Sequence, residues 1–147
     1  MKLMPDNELM SWTKKVSTRF YELVFEDPWF SKIFRNVDQE IITSQQADFM
    51  TGALGGPKLF GGRMPKDAHP HIWVDEKIWE YRENLLKQTF EELYVPLDLR
   101  EKWLAIDNAF KRSILNTGDK SECFGRYKTD EIIYEPMPEY LKKKKAS

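Results

Sequence analysis

Residues 53–57 read Ala-Leu-Gly-Gly-Pro and end a helical pattern in the first half of the chain. Glycine just past the last periodic residue, followed directly by proline, is a strong stop signal for a helix. Further glycines and prolines come close behind, so residues 57–68 are predicted to form a loop with at most a turn of helix. This loop leads to His69 and His71, the only histidines in the sequence.

Helical periodicity precedes the stop signal. Apolar residues recur at spacings of three and four, which predicts an amphipathic helix over residues 6–26 with Asp6 as its N-cap. Asp27-Pro28 ends this helix and starts a short helical segment over residues 29–34, because proline suits the first turn of a helix. The next apolar face runs over residues 41–53.

The helical pattern resumes after the loop. Asp75 is predicted to cap a helix that Pro96 breaks. Asp98 with Glu101 resembles a capping box at the start of the last core helix. No strand-like run is longer than residues 131–134, so the sequence predicts an all-α fold.

Composition narrows the class of protein. A chain of 147 residues is one domain by the usual size relation. The aromatic content of 14% exceeds what a small helical core requires, so the surplus builds a thick core or lines a pocket for a flat apolar ligand. The net charge of −1 gives no electrostatic case for nucleic acid.

Cysteine usage and hydropathy indicate the compartment. Cys123 is the only cysteine, which excludes an intramolecular disulfide and fits a reducing environment. No apolar run reaches transmembrane length, and the N-terminus lacks the apolar stretch of a signal peptide. We therefore expect a cytoplasmic protein that does not associate with membranes.

The two histidines provide little acid–base machinery, but they suffice for one axial ligand to a haem iron. His69 lies at the junction between the loop and the Asp75 helix and is the preferred candidate. His71 is an alternative ligand, and the His-x-His pair could chelate another metal, although zinc prefers four ligands. Pro70 biases His69 away from the α region, so a helix begins or breaks there.

In order and spacing, these features resemble the truncated haemoglobins, the short two-over-two helical globins. The resemblance covers roughly residues 9–116 and rests on the Phe20-Tyr21 pair, Phe34, Gln46 in the frame Gln-x-x-Phe-x-x-x-x-Leu-Gly-Gly-Pro, and His69 twelve residues past Pro57. It implies the two-over-two fold, haem b (iron protoporphyrin IX) as cofactor and His69 as proximal iron ligand. Tyr21 and Gln46 would stabilise a ligand on the distal side.

The resemblance also implies which residues line the haem pocket. The expected lining residues are Phe20, Phe34, Ile42, Gln45, Phe49, Met50, Leu54, Arg63, Lys66, Trp79, Arg82 and Leu86. Some of these site residues also have a simpler interpretation. Tyr21, the predicted distal residue, could be a core aromatic, and Arg63 and Lys66 could be surface charges. Periodicity places either Gln45 or Gln46 on the apolar face without deciding between them.

The chain departs from the family pattern in two places. The Gly-Gly turn between the first two family helices is missing, so the first helix is short or fused to the second. Arg82 lies thirteen residues past His69, where two of the three family groups carry a tryptophan that roofs the pocket. A buried guanidinium needs a partner, so Arg82 must reach a haem propionate, an acidic side chain or solvent. We expect it at the haem edge, with Trp79 or Tyr81 closing the cavity.

The function implied is binding of O₂, NO or CO. The sequence does not decide how the protein uses the bound ligand. The possible uses are O₂ transport, NO detoxification by dioxygenation, sensing and peroxidase-like chemistry. The chain has no glycine-rich dinucleotide fingerprint, so turnover requires a separate reductase. The rival hypothesis is a haem-free helical module whose aromatic groove binds a protein or lipid partner.

The C-terminal region is expected to differ from the globin domain. Residues 1–125 are predicted to form the haem domain, and residues 126–147 a polar, loosely attached and partly disordered tail. This tail contains two prolines and the Lys142–Lys145 run, too few charges to argue for a membrane anchor. We expect it to be dispensable for haem binding.

Overall fold

The computed structural model describes residues 3–58, 74–114 and 134–141, and these ranges contain helices and no β-strand. The helices are α1 (Asp6–Glu26), α2 (Phe30–Ile33), α3 (Gln39–Ala53), α4 (Glu76–Leu93) and α5 (Leu97–Ile114). The all-α prediction is confirmed. None of the helices described combines the length and the apolar character that a bilayer crossing requires.

Aspartate side chains cap two of the helices. Asp38 accepts from the backbone N–H of Ile41 at the start of α3, and Asp75 accepts from that of Ile78 at the start of α4. The cap predicted at Asp75 is therefore confirmed.

Two other predicted caps are wrong. Helix α1 follows Pro5 directly, so Pro5 occupies the N-cap position and Asp6 is the first helical residue. Helix α5 likewise begins directly after a proline, at Leu97. The carbonyl of Pro96 already accepts from the backbone N–H of Arg100 at 3.0 Å. Asp98 therefore lies inside the first turn and not at the N-cap. In both places proline fixes the backbone angle that starts the helix, so no aspartate cap is needed.

The Leu-Gly-Gly sequence ends α3 because both glycines are needed there. Gly55 has φ of +97°, a left-handed conformation that side chains with a Cβ rarely adopt. A Cβ on Gly56 would lie 2.9 Å from a methyl group of Leu9 and 3.0 Å from the Thr51 methyl and carbonyl. The Gly56 N–H donates to that Thr51 carbonyl, which closes the turn against the first part of α1.

Helix α1 is the central element of the fold and contacts α2, α3 and α4. Its buried face carries Leu9, Thr13, Val16, Ser17, Phe20, Tyr21 and Val24. The surrounding core includes several bulky side chains that are almost completely buried: Trp29, Phe30, Ile33, Met50, Leu86, Phe90, Leu99 and Trp103.

Residues 134–141 pack against the helices. The Trp29 indole N–H donates to the carbonyl of Glu135 at 2.8 Å, and the Tyr134 hydroxyl donates to Asp75 Oδ2 at 2.7 Å. Met137 is 7% exposed and belongs to the hydrophobic core. For this segment the expectation of a loosely attached tail is wrong, because one buried methionine and these hydrogen bonds anchor it. The boundary at residue 125 lies outside the described residues.

We predict that Met137→Ala lowers the free energy of unfolding by about 2–5 kcal/mol, the usual cost of truncating a buried methionine. Urea unfolding followed by circular dichroism measures the change. Tyr140, in the same segment, is 54% exposed. Its replacement by alanine is the control, and we expect an effect of about 0.5 kcal/mol or less. Equal, small effects at both positions would show that the segment does not contribute to the core.

Candidate functional site

Tyr21 lies at the centre of a buried aromatic cluster. Its ring centroid is 4.9 Å from that of Phe20 and 6.4 Å from that of Phe34, both in edge-to-face geometry. Tyr21 is 4% exposed, yet none of the hydrogen bonds found among the described residues uses its hydroxyl. Burial raises the pKa of Tyr21 to about 12, while the neighbouring charges of Arg82 and Asp107 act in opposite directions. Tyr21 is therefore a neutral phenol, and its hydroxyl can donate a hydrogen bond.

Arg82 brings a positive charge next to this cluster. Its guanidinium is held by Asp107 through two hydrogen bonds, from Nη1 at 2.5 Å and from Nη2 at 2.9 Å. The same guanidinium lies 4.9 Å from the ring centroid of Trp79 and 5.4 Å from that of Phe20. Burial disfavours its charge, but the adjacent Asp107 carboxylate outweighs this and raises the pKa of Arg82. The partner expected for Arg82 was a haem propionate, an acidic side chain or solvent. The structure shows the acidic side chain, Asp107.

A second carboxylate shares the same guanidinium. Glu83 Oε1 lies 3.3 Å from Arg82 Nη1, with 13% of its side chain exposed. Burial, followed by the proximity of Asp107, raises the pKa of Glu83 well above its usual range. The raised pKa favours the protonated form of Glu83, so Asp107, with the shorter and bidentate contact, is the carboxylate that balances the Arg82 charge.

Helix α3 contributes a further part of the predicted lining. Met50 is buried in α3, and Leu54 is buried at its C-terminal end. Ile42 and Phe49 are half-buried in α3, and the Phe49 ring lies 5.4 Å from that of Phe110. These positions place one apolar face of α3 towards the interior, as the periodicity predicts.

The structure distinguishes the two glutamines of α3. Gln46 is half-buried, whereas Gln45 is exposed. Gln46 is therefore the better placed of the two to face the interior. Within the described ranges, no hydrogen bond to the Gln46 amide is found.

The proximal side of the predicted site has fewer described residues. Trp79 and Leu86 are buried in α4. Tyr81, the alternative pocket roof, instead donates its hydroxyl hydrogen to Asp27 and packs against Trp29. The predicted iron ligand His69, its alternative His71, and the predicted haem contacts Arg63 and Lys66 lie outside the described residues. These four assignments stay predictions.

Asp107 is the important side chain that sequence reasoning missed. It lies four residues after Trp103 and eight after Leu99, on the buried face of α5. A carboxylate at a core position of an amphipathic helix needs a cationic partner. That periodicity, combined with the unexpected arginine at position 82, was a signal that could have paired the two residues.

The described lining fits a haem. A porphyrin is flat and largely apolar, and the buried side chains around Tyr21 are aromatic or aliphatic. A buried phenol whose hydroxyl hydrogen-bonds to none of the described residues suits the small polar ligand that such a cofactor would hold.

Comparison with known proteins agrees with this fold. The family described as bacterial-like globin matches residues 10–116. A group 1 truncated haemoglobin from Tetrahymena pyriformis is 40% identical over 76 residues, which are 52% of this chain and 63% of that protein. A group 2 truncated haemoglobin from Lotus japonicus is 40% identical over 59 residues, 39% of this chain and 33% of that protein. Each match thus spans less than two thirds of the relative's own length.

Solved structures show the same architecture. The Fe(III) truncated haemoglobin of Tetrahymena pyriformis superposes with a TM-score of 0.65 at 24% identity, covering 78% of this chain and 100% of that one. The group II truncated haemoglobin of Bacillus anthracis gives 0.68 at 23% identity, covering 83% and 99%. The fold is the two-over-two helical globin fold, as predicted. The chain belongs to the bacterial-like globin family and is a truncated globin, a class that implies haem and a diatomic ligand.

We predict that Asp107→Asn lowers the free energy of unfolding by about 3–5 kcal/mol, because it leaves the buried Arg82 charge without its main partner. The control is Glu92→Gln, which removes the partner of Arg19 in a more exposed pair with a 2.7 Å contact. Its effect should be much smaller, because solvent screens an exposed ion pair. Urea unfolding at neutral pH compares the two. Similar losses in both variants would show that burial adds nothing to the Arg82 pair.

Proposed function

We propose that this protein binds haem b and uses it to bind O₂ or another diatomic ligand beside the Tyr21 hydroxyl. The observation that carries the proposal is the buried Tyr21 phenol, which has no hydrogen-bond partner among the described residues and lies in an aromatic cluster of a truncated globin. The haem, when bound, supplies an iron that coordinates the diatomic ligand. The protein supplies the pocket, the proximal ligand and the hydrogen-bond donor.

The proposed contacts divide between two faces of the cofactor. His69 would be the iron ligand on one side, with Arg63 and Lys66 as partners for the propionates. The other side and the edges would be formed by the buried or half-buried side chains of Phe20, Phe34, Ile42, Phe49, Met50, Leu54, Trp79 and Leu86. The exposed Gln45 is the weakest member of the predicted set.

Tyr21 would stabilise the ligand by donating a hydrogen bond. O₂ takes on partial negative charge when it binds, and a fixed dipole in a dry pocket acts at low dielectric. Because burial keeps the pKa of Tyr21 near 12, the phenol stays protonated and available as a donor at neutral pH. Gln46, half-buried on α3, is the proposed supporting group.

The reaction that uses the ligand would need electrons from outside the chain. The sequence has no dinucleotide-binding fingerprint, so a separate reductase is the proposed partner for NO dioxygenation or peroxidase-like turnover. O₂ transport and sensing need no such partner. We propose a cytoplasmic setting, in keeping with the single cysteine.

An absorption spectrum of the protein as isolated tests the central proposal. We expect a coloured protein with a Soret band, which shifts when CO is added to the reduced form. A colourless protein that takes up no added haemin would contradict the proposal and favour the haem-free interaction module.

We predict that His69→Ala loses haem or holds it weakly, whereas His71→Ala keeps the Soret band. The reason is that only one of the two imidazoles occupies the position expected for the proximal ligand, twelve residues past Pro57. Haem transfer to an acceptor protein, followed by absorbance, measures retention. The opposite pattern would assign the ligand to His71.

We predict that Tyr21→Phe raises the O₂ dissociation rate about tenfold or more, since a hydrogen bond to a charged acceptor contributes roughly 1.5–3 kcal/mol. CO carries little negative charge, so its dissociation rate should change much less. Flash photolysis and stopped-flow mixing measure the two rates. Equal changes for both gases would mean that Tyr21 acts through its shape and not through its hydroxyl.

A further inference from the structure

Tyr81 is a phenol whose proton acceptor is fixed in place. It is half-buried in α4, and its hydroxyl donates to Asp27 Oδ1 at 2.5 Å. The other carboxylate oxygen, Asp27 Oδ2, accepts from the backbone N–H groups of Trp29 and Phe30, both at 2.9 Å. These backbone contacts hold the carboxylate, so that Oδ1 stays directed at the phenol.

The Tyr81 ring ends a continuous series of aromatic contacts. Its centroid lies 5.0 Å from the ring of Trp29 and 5.1 Å from that of Phe30. Phe30 lies 6.1 Å from Phe34, and Phe34 lies 6.4 Å from Tyr21. Phe34 is a predicted haem contact, and Tyr21 is the predicted distal residue. Packed rings therefore connect the proposed ligand pocket with Tyr81.

The hydrogen-bond partners decide which of these rings can lose an electron for good. Tyrosine and tryptophan are oxidised by one electron far more easily than phenylalanine, and an oxidised phenol or indole becomes acidic and must release its proton. The Trp29 indole N–H faces only a weak base, the backbone carbonyl of Glu135 at 2.8 Å. The Tyr21 hydroxyl has no acceptor among the residues that the structure describes. Tyr81, by contrast, faces a carboxylate.

We propose that Tyr81 is a redox-active tyrosine, which gives one electron to the haem when hydrogen peroxide reacts there, and that Asp27 accepts its proton. This inference rests on the proposed function for the presence of haem. Hydrogen peroxide gains two electrons and two solvent protons and becomes two molecules of water. Tyr81 supplies one of these electrons, and the haem supplies the other.

The proton balance at Tyr81 is local. The phenol proton moves along the existing hydrogen bond to Asp27 Oδ1 and leaves a neutral phenoxyl radical. A small reductant, such as a thiol or ascorbate, returns one electron, and Asp27 returns the proton. Because Tyr81 is half-buried, part of its side chain is open to such a reductant. The oxidation is thereby moved away from Tyr21, the group that would hold the ligand.

The resting state of Tyr81 fits this role. Burial, followed by the hydrogen bond to Asp27, raises the pKa of Tyr81 above its usual value. The phenol therefore keeps its proton until it is oxidised, and the proton and the electron leave together.

Electron paramagnetic resonance tests the proposal on the full haem-containing chain. The ferric protein is mixed with hydrogen peroxide and frozen within milliseconds to seconds. We expect a radical signal whose hyperfine structure narrows when the protein contains ring-deuterated tyrosine, and most of this signal should be absent in Tyr81→Phe. A signal that does not respond to deuterated tyrosine overturns the proposal without any variant. A full signal in Tyr81→Phe overturns it as well.

Tyr94→Phe is the matched control. Tyr94 also follows from α4, at its C-terminal end, but it is 85% exposed and none of the ring contacts found among the described residues involves it. Its variant should keep the signal. A loss as large as that in Tyr81→Phe would show that the radical spreads over surface tyrosines and has no preferred site.

Asp27→Asn tests the proton acceptor. The asparagine amide oxygen can still accept from the backbone N–H groups of Trp29 and Phe30, whereas the carboxylate base is lost. We expect the tyrosine radical to form about tenfold more slowly, equivalent to one hydrogen bond to a charged group lost from the barrier. Slowing of less than about threefold, well under one such hydrogen bond, contradicts the role of Asp27.

The Soret band of the same samples separates this inference from the proposed function. A missing Soret band contradicts haem binding, and the redox role of Tyr81 falls with it. A normal Soret band without a Tyr81 radical leaves haem binding intact and overturns only the redox role.

Discussion

The fold depends on the close approach of α1 and α3 at the Leu-Gly-Gly turn. Gly56 leaves room for only a hydrogen atom between Leu9 of α1 and Thr51 of α3. This contact sets how near the two helices lie and brings the hydroxyls of Thr13 and Thr51 to 2.7 Å. It also fixes the rotation of both helices, so that Tyr21 on α1 is buried in the aromatic cluster. The same constraint therefore positions both Tyr21 and the Thr13–Thr51 pair.

The Tyr21 phenol lies near two opposite charges, Arg82 and Asp107, and not near a single charge. An unpaired arginine near Tyr21 would favour the phenolate, and an unpaired carboxylate would disfavour it. With Arg82 and Asp107 locked together, their effects on Tyr21 oppose each other and burial sets its pKa. The ion pair joins α4 to α5, so the element that carries Trp79 is tied to the last core helix. Desolvating two charges is costly, which is consistent with a role in positioning more than in stability.

Local signals predicted most of the helices, but the pocket details depend on tertiary contacts. The glycine stop and the aspartate cap at Asp75 act through neighbouring backbone, so they can be read from the sequence. The pairing of Arg82 with Asp107 joins residues 25 positions apart on different helices, so the local pattern indicates that each buried charge needs a partner but does not specify the distance or geometry of the contact. Periodicity could not choose between Gln45 and Gln46 either. It indicates which face of a helix is apolar, but not which other elements pack against that face. The family resemblance supplied the ligand assignments that spacing alone leaves open.

Residues 134–141 show how a polar segment can pack against the helices although its composition does not predict it. A region rich in proline and charge cannot bury much surface by itself, yet it can dock when a few groups meet prepared partners. Asp75 is such a partner, because one carboxylate oxygen caps α4 while the other accepts from Tyr134. Trp29 is another, since its buried indole would lack an acceptor without the Glu135 carbonyl. The segment thus completes hydrogen bonds that the helices leave open, and it fixes the start of the helix that carries Trp79 and Arg82.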